Sequence, residues 1–181
     1  KPIEQARATT PKKETPSRGT LQTQEPEVIR RNGKRIVILV DYDNVASIVR
    51  ERGVGFSLSR LRDFVRKFGQ PTFADVFLSP HSKTRDPNVV EKVWQAGLTA
   101  VICPWRHKDG DAVDEKIKAA ARRYILYSNT DEVVIVSEDA DFRRDAELES
   151  FAEDLEKKVR FLNPKKHVHD LEGEEDDVVH G

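Results

Sequence analysis

The segment Arg35–Val40 reads RIVILV. A run of aliphatic and β-branched residues with no alternating polar position has no face to turn to water, so it fits a central strand buried on both sides. Such a strand needs cover above and below, and the rest of the chain supplies it. Strand-like runs at Thr72–Leu78, Leu98–Cys103, Glu132–Val136 and Lys158–Leu162 alternate with stretches of helical period. The helical stretches are Leu58–Phe68 closed by Gly69, a segment through Val89 and Trp94 that stops at Gly97, Ala112–Tyr127, and a helix from Phe142 to Lys157. This alternation is the pattern of a parallel sheet with crossover helices, an α/β fold.

Acids gather where these strands end. Asp41 and Asp43 follow the first strand in VDYDN, Asp111 and Asp114 lead into a helix in KDGDAVD, and Asp139 and Asp141 follow the fourth strand in SEDADF. Ligands of open α/β sheets sit in the crevice beyond the carboxyl ends of the strands, so acids delivered there meet one another. Converging carboxylates repel unless some are protonated or a cation neutralises them. Hard oxygen donors of this kind suit Mg²⁺ or Mn²⁺.

Each acid also has a plainer reading. Asp43 and Asn44 are good turn formers after a strand. Asp111 can cap the helix that follows it, with Asp114 as an acid of its first turn. Asp141 can cap the next helix while Asp139 only solubilises a loop. Two patterns favour chemistry. Asp114 borders the buried stripe of Ile117 and Ala121, which aims its carboxylate toward the sheet edge. Ser137, Asp139 and Asp141 alternate after a strand, which predicts that they share one side. The candidate catalytic residues are therefore Asp41, Asp114, Asp139 and Asp141, with Asp43 and Asp111 as further metal ligands.

Length and charge bound the setting. The chain has 181 residues, 37% of them hydrophobic, which suits one domain with residues left for tails. Residues 1–33 are rich in Pro, Thr, Gln, Lys and Glu without hydrophobic period and read as a disordered, mildly basic arm. Residues 164–181 carry Asp170, Glu172, Glu174, Glu175, Asp176 and Asp177 and read as a disordered acidic tail, leaving 34–163 as the domain. The formal net charge of -1 gives no field over the whole molecule, so a polyanionic partner must meet local basic patches. The single cysteine, Cys103, cannot form an internal disulfide, and no apolar run has the length of a membrane span. The chain reads as cytoplasmic and without a membrane partner. It starts at Lys1 and contains no methionine, which is read as a lost native N-terminus.

VILVDYDNV, DAVDEKIKAAA and VVIVSEDADF, in this order and spacing, resemble the NYN domain, a branch of the PIN-like nuclease superfamily. The likeness spans about residues 34–163. It implies a Rossmann-like three-layer sandwich with a parallel sheet of order 3-2-1-4-5, an acidic Mg²⁺ or Mn²⁺ site, and hydrolysis of RNA phosphodiesters to 3′-hydroxyl and 5′-phosphate ends. The family's functional positions fall on Asp41, Asn44, Asp114, Ser137, Asp139 and Asp141. Three positions depart from the family pattern. Tyr42 and Glu138 stand where glycine is usual, and Asp111 where a basic residue is common.

An RNA substrate, single-stranded or structured, calls for cationic and stacking contacts. Trp105, Arg106 and Lys108 follow the third strand, with Trp105 placed to stack on an unpaired base. Lys83 and Arg85 lie in the loop after the second strand, and Arg143 begins a helix beside the acids. Asn44 and Ser137 complete the expected substrate contacts. Arg60, Arg62, Arg66 and Lys67 fit an ordinary solvated helix face. His167 and His169 lack the further ligands that a zinc site needs. Two other readings compete with a nuclease: a phosphatase of the haloacid-dehalogenase type, with Asp41 as nucleophile and Asp43 as acid, and a non-catalytic RNA-binding or scaffold module. Association as a homodimer, or with a protein partner through the tails, is compatible with the sequence.

Overall fold

The computed structural model describes residues 33–104, 112–143 and 145–173. Five parallel strands form one sheet in the order β3-β2-β1-β4-β5. They are β1 (Arg35–Asp41), β2 (Gln70–Leu78), β3 (Thr99–Ile102), β4 (Glu132–Val136) and β5 (Lys158–Leu162). The unbroken apolar run of β1 explains itself in this position. Ile36, Ile38 and Val40 enter one core, while Val37 and Leu39 enter the other. β4 divides in the same way, Val134 and Val136 to the first core and Val133 and Ile135 to the second. The expected α/β sandwich and its strand order are both present.

One face is covered by α1 (Tyr42–Glu51), α2 (Leu58–Val65) and α4 (Val89–Gln95), with α3 (Pro80–Arg85) between β2 and α4 in the chain. The other face carries α5 (Ala112–Tyr127) and α7 (Ala146–Glu153), and the short α6 (Ala140–Arg143) follows β4. α5 buries Val113, Ile117, Ala120, Ala121 and Ile125, positions at helical spacing along one side. Because all strands are parallel, β1, β2, β3 and β4 open their carboxyl ends on one edge, and α1, α3, α5 and α6 begin there.

The structure departs from the sequence reading in several places. VDYDN is not a loop: α1 starts at Tyr42, because Asp41 caps it and Val45, Ala46, Ile48 and Val49 have an apolar face to bury. Lys83 and Arg85 lie on α3, not in a loop, with Pro80 at its first turn. The long helix expected from Phe142 is divided, since Asp145 accepts from the Leu148 amide at 3.0 Å and caps α7 as a new helix. The domain also continues beyond 163. Pro164–Lys166 form a 3₁₀ turn and Val168–Leu171 form α8.

That last segment is held by packing and pairing. Val168 and Leu171 are buried, and the amide of Ser57 donates to the Leu171 carbonyl at 3.2 Å. Lys67 meets Asp170 at 2.7 Å, and the ring of His167 lies 4.9 Å from that of Phe64. Thus 164–173 belongs to the fold, and the run of acids that begins at Asp170 masked two well-placed apolar side chains.

Candidate functional site

β1 ends on Asp41, which stands in register with Phe77 of β2 and is buried. The same residue caps α1, its Oδ1 accepting from the Asn44 amide at 3.4 Å. Its other oxygen accepts from the Ser137 hydroxyl at 3.3 Å, one residue past the end of β4. Ser137 is itself buried, and its Oγ also accepts from the Asp139 amide at 3.2 Å. A single hydroxyl therefore joins the carboxylate of β1 to the backbone of the acid that follows β4. Asn44 makes a second tie across this gap, accepting the Glu138 amide on Oδ1 at 2.7 Å. Two side-chain bridges fix the spacing of the two strand ends.

Asp139 is half-buried and accepts the Asp141 amide on Oδ1 at 2.8 Å, in the manner of a helix cap for α6. Asp141 is exposed on that helix. The alternation expected of Ser137, Asp139 and Asp141 breaks because the strand stops at Val136 and the chain turns into α6. Asp139 stays tied to Asp41 through its amide and the Ser137 hydroxyl, and Asp141 is exposed.

Asp43 faces the β2 side. Its Oδ2 accepts from the hydroxyl of Ser79, which closes β2, and from that of Ser82 on α3 at 2.8 Å. A carboxylate held by two serines from one turn is a fastening between α1 and α3. Sequence reasoning missed both serines. Their signal was present in Ser-Pro directly after a strand, the usual opening of a helix, and Ser79 indeed caps α3 in position while its hydroxyl turns to Asp43 instead.

Asp114 stands in the first turn of α5 and is half-buried. Chain direction places that turn at the carboxyl edge, since α5 follows β3 and leads to β4. Lys83 and Arg85 are exposed on α3, and among the described residues neither has an acidic partner within salt-bridge distance. Asp111, Trp105, Arg106 and Lys108 lie outside the described residues. Arg143 closes α6, and its side chain lies outside the description as well.

The two bulky departures from the glycine pattern both make contacts within the fold. Tyr42 is buried in the first core with its ring 5.8 Å from that of Phe56. Glu138 pairs with Lys165 of the 3₁₀ turn, which draws the extra charge toward the β5 side. Among the described residues no three His, Cys, Asp or Glu side chains stand close enough together to form a metal-ligating group.

A crystal structure of a protein of unknown function from Vibrio parahaemolyticus superposes with a TM-score of 0.55 at 24% identity, covering 72% of this chain and 82% of that one. At that identity the likeness speaks for the fold. Among curated proteins none matches. The model of the NYN domain matches residues 35–170, from the first residue of β1 to α8, and so takes in the folded segment beyond 163. The chain belongs to the NYN domain family, whose fold is that of the PIN-like nucleases.

Proposed function

We propose that the protein is a metal-dependent ribonuclease that hydrolyses RNA at the carboxyl edge of its sheet. The observation that carries this reading is the tie from the Asp41 carboxylate through the Ser137 hydroxyl to the backbone of Asp139, which fastens the end of β1 to the acid-bearing turn after β4. The donor set fits the cation the family implies. Carboxylate oxygens are hard ligands, and Mg²⁺ is commonly held by one or two of them while water and substrate phosphate complete the shell, so a three-ligand protein cage is not required. Asp41 and Asp139 would hold the cation, with Asp114 on the α5 side. When bound, the cation would polarise the scissile phosphate and lower the pKa of an attacking water.

The chain's own residues supply position and exclusion. Asp41 is fixed on both oxygens, by the Asn44 amide and the Ser137 hydroxyl, so its carboxylate does not reorganise when substrate arrives. Asn44 holds the 137–139 turn against α1. Lys83 and Arg85, exposed at the same edge, suit phosphates flanking the cut bond. Asp43 serves best as the anchor of α3, which weighs against its use as the acid of a phosphatase.

The test is incubation of a labelled RNA of mixed structure with purified protein in Mg²⁺, Mn²⁺ or EDTA, followed by end-group analysis. Cutting that needs the cation and leaves 5′-phosphate ends is expected. Cutting that persists in EDTA, or leaves cyclic phosphate ends, would refute a metal-dependent hydrolysis.

A further inference from the structure

Among the described residues β3 is an outer strand of the sheet, paired with β2 alone. Beside it α4 turns Trp94 outward with 75% of its surface exposed, and Ile102 at the end of β3 is 53% exposed. With Lys83, Val90 and Glu91 these side chains line a shallow groove of about 620 Å³. A tryptophan left this open beside a second exposed apolar side chain marks a contact surface, because large apolar groups are seldom placed together in water without use.

We propose that this groove receives an unpaired nucleotide of the RNA leading away from the acidic crevice, its base against Trp94 and its phosphate at Lys83. The proposal rests on the ribonuclease reading and extends it to a substrate-positioning surface. Continuity favours RNA as the occupant. Lys83 directly follows Ser82, whose hydroxyl donates to Asp43, so the groove opens on the helix fastened to the acid-bearing end of β1. Charge favours it as well. Lys83 and Arg85 are exposed without an acidic partner among the described residues, two cations at this end of the sheet against the one carboxylate of the lining, Glu91. The volume lies within the range of about 300–1,000 Å³ usual for clefts that enclose a small ligand. Stacking on an indole tolerates any base, which suits a surface that positions a strand and does not read it.

The chain has two tryptophans, so Trp105→Phe leaves Trp94 as the sole indole reporter. In the full chain with Asp139→Asn added to prevent cutting, titration with a single-stranded oligouridylate should quench Trp94 emission. Trp94→Ala in the Asp139→Asn protein should weaken binding of the same oligonucleotide, read by anisotropy, roughly five- to a hundredfold, the effect of losing one stacked base. Lys83→Gln should weaken it and flatten its salt dependence. Equal melting temperatures of the variants would confirm that folding is intact, as expected for side chains at the surface.

Oligonucleotide bound with unchanged Trp94 emission, and with equal affinity in Trp94→Ala, would overturn the groove and leave the nuclease reading standing. Absence of binding by the parent protein at any concentration tested would overturn both. A dimer in sedimentation that Trp94→Ala converts to monomer, with RNA affinity unchanged, would assign the groove to a second copy of the chain and overturn the proposal.

Discussion

Ser137 is a small residue with a large share in the site. Its hydroxyl donates to Asp41 and accepts from the Asp139 amide, so its loss unties the end of β1 from the turn after β4. Ser137→Ala should lower metal-dependent cleavage by about 10–100-fold, the usual cost of removing a group that orients a metal ligand. A normal rate in that variant would show that the bridge is only a feature of the folded loop. Asp75 makes a different case. Burial pushes its carboxyl above the ordinary range, opposed by the hydrogen bond from Tyr124 at 2.6 Å and by Arg123. Burial and the same bond to Asp75 push the Tyr124 phenol up. A carboxyl raised in the folded state stabilises below its unfolded pKa, and that contribution is lost as pH rises through the folded one. Asp75→Asn keeps an acceptor for Tyr124 and removes the buried charge, so it should raise Tm by roughly 1–3 °C at neutral pH. The gain should vanish in acid, where the wild-type carboxyl is protonated. At this scale the acids were legible because they follow strands directly. The serines that hold them were not, since a hydroxyl partner distant in sequence leaves no local pattern.

β1 and β4 were legible from composition because burial on both faces demands an unbroken apolar run. α1 was not, because its capping acid is also the site acid and its short apolar face follows the strand without a turn. Gly69 shows a related ambiguity. It reads as the end of a helix, yet α2 stops at Val65 and Gly69 instead passes close to β1. A methyl group there would run into the Lys34 carbonyl oxygen and come within 2.8 Å of Ile36 Cγ2. The same carbonyl accepts the Gln70 amide at 2.8 Å, so it is not free to retreat. Gly69→Ala should therefore cost about 1–3 kcal/mol in denaturant unfolding, as overpacking does. An unchanged midpoint would mean that β2 shifts its start without penalty.

Over the whole molecule the clearest gap in the sequence reading is the segment 164–173. Acidic residues suggested a solvated tail, whereas Leu171 and Val168 fill the first core's margin and the chain bridges Glu172 to Phe56. Removing residues 164–181 should cost about 3–5 kcal/mol, the range for stripping large side chains from a core; an unchanged Tm would show that Val168 and Leu171 add nothing to the fold. Carboxylates set the acid limit. Burial raises Glu132, but hydrogen bonds from Arg160 and Lys34 outweigh it and hold the group below its ordinary range. Asp131 is lowered by the Arg35 backbone and side chain. Groups held low in the folded state stabilise above their unfolded pKa, and that stability is lost as pH drops through the folded values. Melting temperature should thus decline below about pH 4. If β1 and β4 build one acidic site, replacing the acid that ends one and the acid that follows the other must abolish cutting. Labelled RNA is incubated in Mn²⁺ with wild type and with the Asp41→Asn, Asp139→Asn double variant, whose asparagine at 41 can still cap α1. Cutting by the wild type that the variant loses, with RNA affinity and melting temperature retained, is the predicted result; equal cutting by both proteins, or none by either with RNA bound alike, would contradict it.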